Sequence, residues 1–467
     1  MTSDLSTTRF ARFVLALERS SVPADAAESA TLHFLDALGC GLAAAGTGEG
    51  LAARTAVAGS GGGDASIIGE RAPASAAMAA LANGTLCHAL DFDDTHPDGV
   101  THVSAVLAPA SLAAAQSARA DGTTLLMAYL GGAELTIRLG MAASGAFHRR
   151  GFHPTSVCGV FGAAAASARL LELTDDQAAN ALGVAGSFAG GVFEYLSDGS
   201  ATKPLHAGWA AHGGVLAALI ARAGGSGPRS VFDGRYGLYA THADGSIDPA
   251  AFEGLGDRWE LARTSFKAYP ACHYMHGCLD AVEVLRGRGL PDPSLIESIE
   301  VAVPPVGIQL VLEPAADKPA PRTPYDAKFS LPWALAELIT RGRLDTRSFT
   351  GEAIDDPDVV ALARRVTYRE GGYASAPGAF PGSVRIVTSD GSELSAEVLH
   401  ERGHRRNPMT RAQVVAKFEA NAQLALAPDD VGRVVDIVLG LDDATPDALS
   451  ELGRTLASAT SRQELSV

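Results

Sequence analysis

The sequence predicts a mainly α protein: a large helical domain formed by both chain ends, with a smaller α+β domain inserted between them. Three observations predict it. From residue 75 to 223, helical patterns follow one another with only short polar breaks. After about residue 265 the texture changes to alternating strand patterns and a hairpin signal. From Thr410 onward helical periodicity returns. A chain of 467 residues is too long for one simple core and favours two domains. The expected helical domain is 1–267 with 406–467, and the expected α+β domain is 268–405.

Taken in order, residues 8–22 and 26–46 read as amphipathic helices, the second with Leu32, Leu35 and Leu38 among Ala and Gly. Residues 59–68 are glycine-rich, but no Val/Ile strand precedes them and G-x-x-x-x-G-K-[ST] is not matched. A flexible connection is expected there rather than a phosphate loop. Thr174-Asp-Asp-Gln177 is a capping box that opens a helix. Small residues at 163–166 and 207–211 allow helices to approach closely. In the second domain Ile299, Val301 and Val303 alternate with Glu300 and Ala302, a half-buried strand stopped by Pro304-Pro305. Residues 331–339 read as a helix containing Pro332. Residues 384–388 and 394–398 flank Asp390-Gly391, a hairpin signal. Residues 410–418 and 446–457 are the closing helices.

Composition excludes several function classes. Lys and Arg number 37 against 53 Asp and Glu, a net charge of −16, which argues against nucleic acid and anionic membranes as partners. Aromatics at 6% offer no stacking platform for bases or sugars. The five cysteines (Cys40, Cys87, Cys158, Cys272, Cys278) are odd in number, widely spaced and set in apolar patterns. Reduced core thiols in a cytoplasmic protein are therefore expected. No signal-peptide h-region and no transmembrane run is read.

Polar chemistry is concentrated in four stretches. Residues 83–102 hold Asp91, Asp93, Asp94, His88, His96, His102 and Thr95 between apolar flanks. Burying such groups unpaired costs several kcal/mol, so a binding or catalytic purpose is favoured over capping acids at a helix end. Gly151-Phe-His-Pro154 puts His153 before a proline, outside helical geometry. A helix N-terminus there would lower an imidazole's pKa. Lys203-Pro-Leu-His-Ala-Gly208 repeats the device with Lys203, and His206 and His212 follow on the same helix. Phe266-Lys-Ala-Tyr-Pro270 and the following residues group Lys267, His273 and His276 where the composition shifts. Clefts between domains are favoured ligand sites.

Sharper signals fail. His400-Glu-Arg-Gly-His404 matches H-E-x-x-H literally, but it follows a strand and runs into Arg405-Arg-Asn-Pro408. A solvated turn is expected there, without zinc. No G-x-S-x-G is present. Cys158 and Cys272 look like core fillers rather than nucleophiles. Asp91-Phe-Asp-Asp94 resembles the acid motif of terpene cyclases, but carbocation pockets need aromatics that this chain lacks.

The four constellations, His88-Ala-Leu-Asp-Phe-Asp-Asp-Thr-His96, Gly151–Pro154, Lys203–Gly208 and Phe266–Pro270, occur in the order typical of the MmgE/PrpD family, and Tyr325-Asp-Ala-Lys-Phe-Ser-Leu-Pro332 resembles its lid motif. That family includes 2-methylcitrate dehydratase, cis-aconitate decarboxylase and iminodisuccinate epimerase. The resemblance spans about residues 10–460 and implies a homodimer with no cofactor and no metal. Carried over residue by residue, it implies a site of Asp91, Thr95, His102, His153, Lys203, Lys267 and Tyr325, with His276 in addition. His102, His153, Lys203, Lys267 and Tyr325 would be catalytic, and Asp91, Thr95 and His276 would bind substrate. The expected partner is a small di- or tricarboxylate. Lys203 and Lys267 would hold carboxylates and offset enolate-like charge. His102 or His153 would move the proton. Asp91 would orient a histidine, and Tyr325 would protonate a leaving hydroxyl or the carbon. The expected activity is cofactor-independent: dehydration of 2-methylcitrate type first, decarboxylation second, epimerisation third. The alternative of another class is a carboxylate-binding protein without chemistry.

Overall fold

A computed structural model describes residues 7–373 and 378–460. The chain is mainly α and divides into two compact units. The first comprises the chain up to Glu194, Thr202–Thr264 and the chain from Thr410 onward; the second comprises Tyr195–Ala201 and Ser265–Met409. Among the described residues no helix is long and apolar enough to cross a membrane.

Six helices make the body of the first unit: α1 (Ala24–Thr47), α2 (Ala76–Ala89), α3 (Val103–Ala118), α4 (Gly122–Ala142), α5 (Pro154–Leu170) and α6 (Lys203–Arg222). A further helix, α7 (Arg411–Ala422), returns from the C-terminal part of the chain to pack on α1. The helices at 8–22 and 26–46 appear as Thr7–Ala16 and Ala24–Thr47. The Thr174–Gln177 capping box forms with both reciprocal hydrogen bonds.

Small residues let these helices cross at close range. α2 and α6 meet at Gly84 and Gly208: a Cβ on Gly84 would lie 2.9 Å from the Gly208 Cα. A Cβ on Gly208 would collide with Thr85 Oγ1 and the Leu81 carbonyl. This crossing brings the C-terminal end of α2 beside the N-terminal end of α6, where the polar stretches lie. α4 and α5 cross in the same manner at Gly132 and Gly162.

The first unit is not wholly helical. A short antiparallel pair, β1 (Ala65–Ile67) with β2 (Glu70–Ala74), follows the glycine-rich stretch. Part of the expected flexible connection is therefore a strand. Three residues are too few to show a period of two, and the Ser66 N–H and Ile68 N–H are completed by the side chains of Gln116 and Asn83.

In the second unit four strands form one sheet in the order β4-β3-β5-β6: β3 (Ile296–Val303), β4 (Val366–Glu370), β5 (Gly382–Thr388) and β6 (Glu393–Val398). The hairpin expected around Asp390-Gly391 is β5–β6, with Gly391 at φ +81°. β3 pairs antiparallel with β5 and parallel with β4. Helices His276–Arg286 and Leu331–Arg341 pack in this unit. His400 and His404 lie in turns with rings stacked 4.8 Å apart. His404 is buried on the Gly378 carbonyl, so the turn is less solvated than expected.

Gly208→Ala should lower unfolding free energy by about 1–3 kcal/mol, the usual cost of forcing a methyl into a packed contact. Chemical denaturation checks it.

Candidate active site

The site is built on the turn between α2 and α3. Asp91 sits just past α2 at φ +52°, a left-handed conformation that Asp tolerates better than most residues. From this turn three carboxylates in four residues leave toward different partners. Asp91 Oδ1 accepts from Lys203 Nζ at 2.7 Å, at the first residue of α6, and both groups are buried. Asp93 accepts from His88 Nδ1 at 2.9 and 3.0 Å. Asp94 accepts from the Ser104 N–H at 3.1 Å and from the Ser104 hydroxyl, and lies 2.9 Å from His33 Nδ1 on α1. Removing any one partner would leave an uncompensated buried charge, a change that costs several kcal/mol.

Both positioning prolines act as their sequence places them. Pro154 and Pro204 occupy the first turns of α5 and α6, where a missing N–H costs nothing. His153 is thereby the N-cap of α5 and Lys203 opens α6. His102 is the N-cap of α3; its N–H donates to Thr155 Oγ1 at 3.0 Å.

The imidazoles then converge. Ring centroids lie 4.7 Å apart for His88 and His102, 5.6 Å for His88 and His153, and 5.9 Å for His102 and His153. One ring nitrogen from each lies within 4.8 Å of the others, and Asp91 and Asp93 each bring an oxygen equally close to His88 and His102. Such a cluster has the donor and acceptor atoms to meet one small ligand, and the adjoining Lys203 ammonium would favour an anion over a cation. His102 Nδ1 lies 2.9 Å from the Asp94 carbonyl oxygen and 3.2 Å from Thr95 Oγ1. A carbonyl only accepts, so Nδ1 carries the proton and Nε2 of the neutral ring is the basic atom. His153 Nδ1 lies 3.1 Å from His206 Nδ1, so one proton is shared between two nitrogens. Burial first, then His206, Lys203, His88 and His102, pushes His153 well below the usual imidazole range. The direction is the one expected from its helix N-terminus, but desolvation and neighbouring rings are the main cause.

Of the residues expected at the site, Asp91, Thr95, His102, His153 and Lys203 come together in the first unit. Lys267, His276 and Tyr325 lie buried in the second. Tyr325 stands on the short helix Pro324–Ala327, capped by Thr323, with its ring 5.7 Å from Phe329. His276 Nε2 lies 3.3 Å from the Ala271 carbonyl oxygen. Asp91 is hydrogen-bonded to Lys203 and brings an oxygen within 4.8 Å of ring nitrogens of His88 and His102, while Asp93 is the carboxylate hydrogen-bonded to His88. His212 turns away onto the Ala77 carbonyl. All five cysteines are buried and none forms a disulfide, and burial pushes the Cys158 thiol up.

The MmgE/PrpD N-terminal domain model matches residues 8–249 and the MmgE/PrpD C-terminal domain model matches residues 269–443. This chain belongs to the MmgE/PrpD family. It is an enzyme of that family, similar to cis-aconitate decarboxylase of Homo sapiens, 31% identical over 78% of this chain and 76% of the relative. Cis-aconitate decarboxylase of Mus musculus is 30% identical over 83% of this chain and 80% of its own. That of Aspergillus terreus is 28% identical over 81% of each.

Three supporting residues carry no sign of their role in the sequence of this MmgE/PrpD chain. His206 lies on the Lys203 helix, but no local pattern places it on His153. Asp93 is one acid among three, and its pairing with His88 is set by the turn. Lys417, on α7, gave no signal, being one Lys in an ordinary amphipathic helix more than 300 positions away. Its ammonium is buried 2.8 Å from Asp36 Oδ1 and 2.8 Å from the Phe92 carbonyl oxygen, with Phe92's ring centroid at 4.0 Å. It therefore holds the middle of the acidic turn from the far end of the chain. Burial pushes the Asp36 carboxyl up, partly offset by Lys417.

Lys417→Met should cost about 3–5 kcal/mol, the usual penalty for stranding a buried charge. Asp36→Leu/Lys417→Met should recover most of that stability in denaturant titrations while turnover stays reduced, because Phe92 has lost its clamp. Stability should also fall in acid. His148 and His206 are each pushed down to about 4, mainly by burial. Between pH 6.5 and about 4 the unfolded chain takes up protons that these folded rings refuse, so stability drops as pH drops through that window. Glu134, pushed up to about 7 by burial, acts in the opposite sense between pH 4.5 and 7. The histidine part is therefore read as a difference: His206→Gln should lose less stability than the unaltered protein between pH 7 and pH 5 in urea titrations.

Proposed function

We propose that this enzyme is a cofactor-independent decarboxylase of a small tricarboxylate, cis-aconitate or a close analogue. What carries the choice among the family's reactions is the likeness to three cis-aconitate decarboxylases over most of the chain. Dehydration of 2-methylcitrate type moves to second place on that ground, and epimerisation stays third.

The chemistry suits the residues. As carbon dioxide leaves the saturated arm of cis-aconitate, the C–C electron pair forms a new terminal double bond. The old double-bond pair moves to the carbon beside a remaining carboxylate, and that carbon takes one proton. The sum is tricarboxylate plus one proton giving carbon dioxide plus an unsaturated dicarboxylate. A catalyst must hold the surviving carboxylates, offset the enolate-like charge and deliver the proton. Lys203, oriented by Asp91, supplies the cation beside the imidazoles. Thr95 and the Asp94 carbonyl orient His102, and His102 and His153 face the proton transfer. Lys267, Tyr325 and His276 enter this proposal from their motifs: Lys267 as a second carboxylate holder, Tyr325 as an acid, His276 as a substrate contact. A homodimer belongs to the same proposal, and sedimentation equilibrium checks it.

Proton NMR in D2O with cis-aconitate, 2-methylcitrate, citrate and iminodisuccinate tests the reading. Cis-aconitate should release carbon dioxide and give a product carrying one deuterium. His102→Ala should lower kcat by at least about 100-fold, the usual scale for a lost acid/base group, and Lys203→Ala should lower kcat/KM by more than it weakens binding. Turnover of 2-methylcitrate with none of cis-aconitate would replace this reading by the dehydratase.

A further inference from the structure

We infer that it is His88, oriented by Asp93, rather than His102, His153 or Tyr325, that carries the proton to the substrate carbon. The inference rests on the decarboxylase reading for its reaction and on the structure for its residue. His88 is fully buried, and its Nε2 has no hydrogen-bond partner among the described residues. A buried nitrogen in that condition is costly unless something meets it. Its other nitrogen, Nδ1, is held between both oxygens of Asp93. The carboxylate accepts, so Nδ1 bears the proton and Nε2 is the atom left to receive one.

Position and charge both single out this ring. A triangle with sides of at most 4.8 Å contains a point within about 2.8 Å of all three corners, a hydrogen-bond length. An atom placed among the convergent nitrogens of His88, His102 and His153 is therefore within reach of all three. His88 has both oxygens of one carboxylate within 3.0 Å of its Nδ1. His102 meets a carbonyl at 2.9 Å, with Asp93 at 3.5 Å. His153 meets another imidazole at 3.1 Å, which disfavours a cation there. An imidazolium at His88 has its charge offset by Asp93 at hydrogen-bond distance, the arrangement by which a carboxylate supports a histidine acid.

The step balances and resets. Neutral His88 takes a proton from water at Nε2, while Nδ1–H stays on Asp93. When carbon dioxide has left, the Nε2–H bond breaks and its electron pair stays on nitrogen. The proton forms a C–H bond with the carbon beside the carboxylate. His88 ends neutral, as it began, and one solvent proton has entered the product.

His88→Gln keeps an N–H for Asp93 but removes the titratable nitrogen. With cis-aconitate we expect kcat to fall at least about 100-fold, KM to stay within about threefold and the unfolding midpoint to stay near that of the unaltered enzyme. Nitrogen-15 NMR of histidine-labelled, unaltered enzyme needs no variant to fold. His88 should be protonated at Nδ1 alone when free and at both nitrogens when the saturated analogue propane-1,2,3-tricarboxylate is bound. A His88→Gln enzyme within threefold of normal kcat would overturn the inference, as would a His88 that stays unprotonated at Nε2 in the complex. A stoichiometric metal ion in the purified enzyme, removed together with activity by chelation, would overturn it as well. If the unaltered enzyme leaves cis-aconitate untouched but turns over another substrate of the panel, the decarboxylase reading fails, and His88 is scored by the same criteria on that substrate.

Discussion

The structure depends on pairing a buried run of acids. Asp91, Asp93 and Asp94 stand almost side by side in a turn closed off from water, and Asp36 joins them from α1. None could stay ionised in that setting alone. Lys203, His88, Ser104 with His33, and Lys417 answer them one by one. These partners come from α6, α2, α3, α1 and α7, so satisfying the turn ties together elements drawn from both ends of the chain. The same pairings aim the polar heads at one place, which makes the folding constraint and the construction of the site a single problem.

That arrangement needs helices that approach more closely than ordinary side chains permit. Glycines at the α2–α6 and α4–α5 crossings, with alanines around them, remove the bulk. The benefit appears at the helix ends. The last turn of α2 delivers His88 and the acids, and the first turns of α5 and α6 deliver His153 and Lys203, each beside a proline that fits a helix start. Rigid helix ends hold such groups more closely than loops do, and preorganised charge is worth most where water is excluded.

Burial also assigns protonation. Crowding the imidazoles beside a lysine keeps His153 and His206 neutral well into acid. Carbonyl and carboxylate partners decide which nitrogen of His102 and His88 bears hydrogen. Tautomer-fixed rings next to an ammonium are suited to meeting an anion and moving one proton.

Sequence alone determined a good deal. Helical period, the strand alternation around Val301, the Asp390-Gly391 turn and the Thr174 capping box are local patterns and formed where they lie, except that the helix expected over 8–22 stops at Ala16. The residue types of the site were legible because charged groups in an Ala- and Leu-rich chain stand out, and because proline after His153 and Lys203 marks a helix start. Tertiary structure decided what local pattern cannot carry. Which partner each acid of the turn meets depends on the backbone path through the left-handed Asp91. That Lys417 clamps Phe92, that His206 shares a proton with His153, and that β4 lies parallel to β3 are pairings across long stretches of chain. Partners distant in sequence are chosen by packing, where the cost of an unpaired buried charge selects among arrangements that sequence leaves equal.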